Sequence, residues 1–291
     1  MTPPRDVTEV LRIARSFLFV PGDRPDRIGR ALASDADGVI VDLEDAVRAD
    51  QKDAARSVVR TLRVGPGGRP LVLVRVNAFG SAMFADDVEA ALEGGAAAVM
   101  VPKFVPGPQA GAIHDALTAI EQARGVPATP VVGLVESAVG VRGLSSPVAL
   151  PARFVRLAFG AADYFADLGL SYQPSGTHIE FAMASLVIAS AAAGLGSPLA
   201  SPHFALDDEA GLTAASGHAR DLGFGGALCI HPAQLAIVNE EFRPTAAELL
   251  QAQRVVDAWE DPAHSTRGAI RVDDRLIDEA MVRRARQILR Q

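Results

Sequence analysis

The chain has 291 residues, 49% of them hydrophobic, which permits one large barrel domain or two of average size with ample material for a core. A formal net charge of −7 argues against nucleic-acid binding, which calls for a basic face. Cys229 is the single cysteine, so neither an intramolecular disulfide nor a cysteine-rich zinc site can form, and a reducing, cytoplasmic compartment is expected.

The first residues carry Arg5, Asp6, Glu9 and Arg12 ahead of any apolar run, unlike a secretory signal. Strand-like runs then recur at steady spacing: Ser16–Pro21, Gly38–Asp45, Leu71–Ala78, Ala97–Phe104, Val131–Ser137, Phe154–Ala162, Leu199–Phe204 and Ala227–Pro232. Their bodies are continuously apolar, as in parallel strands buried on both faces. Between them, Arg24–Ser34, Asp50–Arg63, Phe84–Glu93, Gln109–Arg124 and Asp207–Leu222 mix apolar and charged residues at helical spacing. Ile179–Gly194, rich in alanine and holding Glu180, is too short and small-residued for a membrane span and reads as a buried helix. Turns such as Gly65-Pro66-Gly67-Gly68 separate the elements. After the eighth run, Thr245 with Glu248 forms a capping-box pattern opening a helix to Trp259. Glu260–Gly268 is polar and turn-prone, a hinge or disordered segment, and Leu276–Leu289 reads as a terminal arginine-rich helix.

Eight alternating units predict an α/β fold, a (β/α)₈ TIM barrel over residues 1–243, with a helical extension over 244–291 serving as lid or oligomer contact. A doubly wound open sheet is the alternative, but no Gly-x-Gly-x-x-Gly follows a strand and no phosphate loop occurs.

In a barrel the groups at the carboxyl ends of the strands form the active face. Those ends carry Gly22-Asp23-Arg24, Asp42-Leu43-Glu44-Asp45, Arg75-Val76-Asn77, Pro102-Lys103, Glu136, Asp163, Pro202-His203 and His231-Pro232. Polar groups concentrated there, on otherwise apolar strands, make an enzyme's pattern. Glu136 and Asp163, at the same end of consecutive strands, stand out. A buried carboxylate must be neutralised, paired or bound to a metal, and two together suggest a shared hard divalent cation. Each acid could instead cap a helix or pair with an arginine such as Arg142 or Arg156. Asp42 is expected to pair with Lys52 or Arg75 to order its loop, while Lys103 could pair with Glu44 or Glu136 or touch substrate. His203 and His231 read as hydrogen-bonded barrel histidines. Arg24 and Arg27, near a helix amino end, could bind a CoA phosphate or simply be solvated.

Seven collinear segments carry a resemblance: Arg15-Ser16-x-Leu18-Phe19-Val20-Pro21-Gly22, Asp42-Leu43-Glu44-Asp45-Ala46-Val47, Arg75-Val76-Asn77, Val101-Pro102-Lys103, Glu136-Ser137, Gly160-Ala161-Ala162-Asp163 and Cys229-Ile230-His231-Pro232-x-Gln234. Together they resemble the citrate lyase beta-subunit family, CoA-ester lyases of the HpcH/HpaI aldolase/citrate lyase group among the phosphoenolpyruvate/pyruvate-type barrels. The resemblance implies a Mg²⁺-dependent barrel that cleaves or forms a carbon–carbon bond beside a thioester of the malyl, citramalyl or citryl type, carried by CoA or an acyl carrier protein. It implies Glu136 and Asp163 as metal ligands, with Glu136 also beside the substrate, and Arg75 as the residue holding substrate oxygens. Asp274–Asp278 is similar to the family's lid, whose aspartate, here Asp278, often reaches a neighbouring subunit's active site. Trimers or hexamers are usual in the family.

For such a substrate, retro-Claisen cleavage needs a base for the hydroxyl proton, a cation at the nascent carbonyl and a donor at the enolate. Asp278 is the candidate base, with Glu44 or Asp45 as alternatives, and Arg75 is the candidate donor. Lys103 and Arg24 complete the candidate substrate contacts. Thioester hydrolysis on the same metal platform, as in malyl-CoA thioesterases, is a competing activity. A non-catalytic scaffold subunit is a reading of another class, against which the intact Glu136, Asp163 and Arg75 speak. A free oxo-acid aldolase would have histidine where Asp45 stands.

Overall fold

Eight short apolar strands pair in parallel and in sequence order, and the eighth returns to the first, closing a barrel. They are β1 (Ser16–Pro21), β2 (Gly38–Asp42), β3 (Leu71–Arg75), β4 (Ala98–Val101), β5 (Val131–Val135), β6 (Phe154–Phe159), β7 (Leu199–Ala200) and β8 (Gly226–Cys229). The computed structural model describes residues 6–65, 69–145, 150–261 and 268–290. It comprises two compact units, residues 1–242 and 243–291.

The first unit is the barrel. Its helices are α1 (Val7–Ile13), α2 (Pro25–Leu32), α3 (Lys52–Arg60), α4 (Phe84–Gly94), α5 (Pro108–Arg124), α6 (Ala138–Gly143), α7 (Ala161–Asp167), α8 (Thr177–Ala192), α9 (Glu209–Leu222) and α10 (Gln234–Glu241). Strand side chains alternate between two packed layers, as the two-residue period of a strand demands. Phe17, Ile40, Leu73, Met100, Val132 and Leu228 share one cluster, the barrel interior, with Leu11 of α1. Val39, Val41, Val72, Val74, Val99 and Val101 pack in the other, against the helices. A continuously hydrophobic run is what burial on both faces requires.

Sequence runs predict strands longer than those formed. β2 stops at Asp42 and β7 at Ala200, because Asp42 folds its own chain into a turn and Pro202 has no N–H to offer a ladder. The residues beyond become loops on the active face. Helices α1, α6, α7 and α10 are not foreseen in the sequence; each is short, from six to eight residues, too brief for a helical period to stand out.

At the opposite end of the barrel Arg156 of β6 is fully buried. Its guanidinium donates to the carbonyl oxygens of Leu11 (3.0 Å), Ala14 and Ser197, tying the end of α1 and the segment before β7 to the barrel floor. The sequence allowed Arg156 as a partner for Glu136 or Asp163; instead it serves carbonyls at the other mouth, since alternation turns its side chain inward near the amino end of its strand.

The second unit holds α11 (Ala246–Glu260), the antiparallel strands β9 (Ala269–Val272) and β10 (Arg275–Asp278), and α12 (Glu279–Ile288). Thr245 and Glu248 close the expected capping box on α11. The predicted helix Leu276–Leu289 needs correction: Leu276–Asp278 belong to β10, and the helix begins at Glu279. A hairpin turn at Asp273 and Asp274, both at positive φ, returns the chain onto β9 and settles Leu276–Asp278 as strand. Most of the expected hinge over 260–268 and of the turn at 65–68 lies outside the described residues. No helix among the described residues is long and apolar enough to cross a membrane.

Candidate active site

Asp42 ends β2 and builds the loop that follows. Its two carboxylate oxygens accept from the N–H groups of Glu44 (2.8 Å) and Ala46 (3.0 Å), an Asx turn that sets the Leu43–Ala46 backbone. The same two oxygens take Nε (2.7 Å) and Nη2 (2.5 Å) of Arg75 from the end of β3, a bidentate fork. This bears out the pairing expected for Asp42. Lys52, buried on α3, reinforces the loop from behind, donating to the carbonyls of Leu43 and Glu44 (both 2.6 Å) and to Oδ1 of Asn77 (3.0 Å).

Arg75 is nearly buried and surrounded by acids. Nη1 lies 3.1 Å from Glu44 and 3.9 Å from Asp45, and the guanidinium stands 4.9 Å from the centre of the Phe19 ring. Burial works against its charge, but the bonds to Asp42 and the fields of Glu44 and Glu136 outweigh it and hold its pKa above the ordinary value. Glu44 is buried beneath Arg75 and Lys103, and Lys103 Nζ reaches it at 2.5 Å. Burial raises the Glu44 pKa, and Arg75 and Lys103 oppose the shift. Asp45, by contrast, is exposed and borders the cavity at the mouth.

Lys103 carries two functions in one residue. Its backbone adopts φ +50°, a left-handed conformation rare outside glycine, and its N–H donates to Oε1 of Glu136 at 2.8 Å. Glu136, just past β5, is only 2% exposed. Burial pushes its acid up to about 8; the Lys103 N–H and Arg75 pull the other way, while Glu44 and Asp163 add to the rise. Gly160 gives it room, because a Cβ there would lie 2.5 Å from Glu136 Oε2. Asp163 follows in the first turn of α7, whose Ala161 N–H donates to the Ser201 hydroxyl (3.1 Å).

A cavity of about 370 Å³ joins these groups. Asp42, Asp45, Arg75, Glu136 and Asp163 border it on the side of β2, β3, β5 and β6. Phe204, Leu228, Ile230 and Phe19 border it on the side of β7, β8 and β1. A second cavity of about 420 Å³ shares Phe19 and Ile230 and is lined by Arg27, Arg30 and His231. Arg24 borders neither; it stands exposed before α2, paired with Asp26 at 3.3 Å. His203 faces a different, smaller cavity beside α8 and α9. Asp278 belongs to the second unit, exposed at the head of α12, where Oδ1 accepts from the Met281 N–H at 3.0 Å. Lys52, expected as a partner of Asp42, instead holds the loop through its backbone carbonyls and Asn77. Sequence reasoning assigned no role to Gly160 or Phe204.

The site fits a hard divalent cation by its donor chemistry. Two carboxylates border one cavity, and Glu136 is buried with Glu44 and Asp163 acting against its ionised form, which an added cation would favour. Among the described residues no three His, Cys, Asp or Glu side chains gather as a cage. A magnesium ion does not need one, since it keeps waters or takes substrate oxygens for the rest of its octahedron.

Residues 15–232 match the HpcH/HpaI aldolase/citrate lyase family. The (3S)-malyl-CoA thioesterase of Cereibacter sphaeroides is 32% identical over 276 residues, covering 94% of this chain and 93% of that protein. Citrate lyase subunit beta of Escherichia coli is 32% identical over 281 residues, covering 96% and 93%. Among solved structures, CitE of Mycobacterium tuberculosis in complex with magnesium, acetoacetate and coenzyme A superposes with a TM-score of 0.72 at 31% identity, covering 96% of this chain and 98% of that one. The chain is therefore an enzyme of the HpcH/HpaI aldolase/citrate lyase family, with the citrate lyase beta subunit among its relatives.

Proposed function

We propose that this enzyme is a Mg²⁺-dependent carbon–carbon lyase that cleaves or forms a β-hydroxyacyl-CoA thioester of the malyl, citramalyl or citryl type, by a retro-Claisen route to an oxo acid and acetyl-CoA. The observation that carries this reading is the pair Glu136 and Asp163 bordering one cavity with Arg75. The Mycobacterium tuberculosis relative holding magnesium and coenzyme A supports it.

Glu136 and Asp163 are the groups that would hold the ion, which when bound polarises the substrate hydroxyl and stabilises the carbonyl that replaces it. Arg75, pinned by Asp42 and Glu44, offers its remaining donors in a fixed orientation to the thioester oxygen as enolate charge develops. Asp45, bordering the cavity, and Asp278, on the segment similar to the family's lid, are the candidate bases for the hydroxyl proton. Glu44 lies behind Arg75 and Lys103 and orients them. The arginine-lined cavity beyond Phe19 and Ile230 suits the phosphates of CoA, through Arg27 and Arg30. The enzyme works as a homo-oligomer, a trimer or hexamer, and the exposed Phe181 and Ile188 on α8 support such an assembly.

Hydrolysis is the second reading, favoured by the likeness to a malyl-CoA thioesterase. Product analysis separates the two. Incubation with malyl-, citramalyl- and citryl-CoA plus Mg²⁺ is expected to give acetyl-CoA and an oxo acid; free CoA with the hydroxy acid would establish hydrolysis instead. Glu136→Ala and Asp163→Ala should each abolish Mg²⁺ binding by calorimetry and turnover, with the far-UV spectrum unchanged. Activity that survives EDTA would overturn the metal assignment.

A further inference from the structure

The wall of the cavity has two unlike arcs, and their chemistry selects among the acids that the lyase reading admits. Going round the barrel, β2, β3, β5 and β6 present Asp42, Asp45, Arg75, Glu136 and Asp163, with Leu134 as the larger apolar exception. β7, β8 and β1 present Phe204, Leu228, Ile230 and Phe19, with the Ser201 hydroxyl as the polar exception, and β4 lends no lining residue. Citryl, citramalyl and malyl thioesters differ in what the carbinol carbon carries besides hydroxyl and carboxylate: a second carboxylate-bearing arm, a methyl group or hydrogen.

We infer that the site selects an oxo-acid portion with a single carboxylate and a small hydrocarbon substituent, pyruvate-like or 2-oxobutyrate-like, over one bearing a second carboxylate. The inference rests on the lyase reading, in which the first carboxylate and the hydroxyl meet the ion at Glu136 and Asp163.

Two observations carry it. The cations at the mouth are already engaged: Arg75 is forked onto Asp42 and touches Glu44, and Lys103 is held by Glu44 and does not line the cavity. The donors that Arg75 keeps are taken by the thioester oxygen in the lyase reading, so a second carboxylate entering would meet no further cation among the described lining residues. It would add to a wall already rich in acids, and an ionised group taken from water without a partner is strongly disfavoured. The hydrocarbon arc provides the converse. A methyl or ethyl substituent against Phe204, Leu228 and Ile230 leaves water at no electrostatic cost and gains roughly 0.8 kcal/mol per buried methylene. Phe204 and Ile230 keep 42% and 38% of their surface exposed, so a substituent there has apolar surface left to cover.

Calorimetric titration of the full-length protein in saturating Mg²⁺ tests this with a matched pair of four-carbon acids, 2-oxobutyrate and oxaloacetate, which differ by methyl against carboxylate. We expect 2-oxobutyrate to bind at least about tenfold more tightly, equivalent to ~1.4 kcal/mol. Ile230→Lys, which supplies a free cation on the hydrocarbon arc, should narrow or invert that ratio. Phe204→Lys is the second variant if Ile230→Lys does not fold. Equal or tighter binding of oxaloacetate by the wild type, or binding of neither acid by a protein that does bind Mg²⁺, overturns the inference and leaves the metal site standing. Failure to bind Mg²⁺ at all removes the lyase reading and the inference together.

Discussion

At the scale of single residues, burial sets charge states and neighbours oppose or reinforce it. Cys229 shows the effect away from the site. It lies buried on β8, and burial pushes its thiol up to about 12, against a small opposing bond from the Phe17 backbone. The native state therefore keeps this proton between about pH 9 and 12, where the unfolded chain has lost it, so the contribution to stability is complete below about pH 9 and declines as pH rises towards 12. The kinetic consequence is sharper. A thiolate, not a thiol, attacks iodoacetamide, so native labelling at pH 8 should run about a thousandfold slower than for a free thiol. Labelling should instead follow global unfolding in urea; rapid labelling of the native protein would show that the β8 packing is wrong.

At the scale of elements, the two mouths of the barrel are built for different ends. The carboxyl end collects Asp42, Arg75, Glu136 and Asp163 around a cavity, while the amino end collects carbonyl oxygens around Arg156. Burial draws the Arg156 pKa down to about 9, and at neutral pH it remains a cation serving α1, β6 and the segment before β7. Arg156→Met would leave the carbonyls of Leu11, Ala14 and Ser197 without this donor, each a desolvated acceptor. Urea denaturation should show a loss of about 3 kcal/mol, at the lower end of the range for breaking a buried charged contact. Mg²⁺ affinity of the folded variant should be unchanged, because groups at the amino face of a barrel serve stability rather than chemistry. A weakened metal site with unaltered stability would contradict that division.

At the scale of the whole molecule, a barrel and a smaller α/β unit share one chain, and the proposal that Asp278 of the second unit is the base is open to a clean test. Asp278 also caps α12, so Asp278→Ala confounds a lost cap with a lost base. Asparagine caps a helix about as well as aspartate but cannot take a proton. Asp278→Asn should therefore keep the melting temperature within a degree or two of the wild type and lower kcat by at least about a hundredfold, the low end for a general base. Retained kcat would move the base to Asp45.

The barrel was legible from eight apolar runs at regular spacing, because strands buried on both faces leave little choice of residue. Glu136, Asp163 and Arg75 were legible as charges at the ends of such runs, where the cost of desolvation makes an accident improbable. Short helices such as α7 and α10 were not, since six to eight residues carry too little periodic signal, and β10 passed for helix because its strand pairing is with β9, a partner that local sequence does not name. Only the tertiary structure decided that Arg156 serves the floor and not the acids, that Arg75 and Lys103 are already engaged, and that one arc of the cavity is hydrocarbon. Strand pattern is written locally in side-chain hydrophobicity. Which charges meet is decided by barrel closure, which brings together residues as far apart in the chain as Phe19 and Ile230.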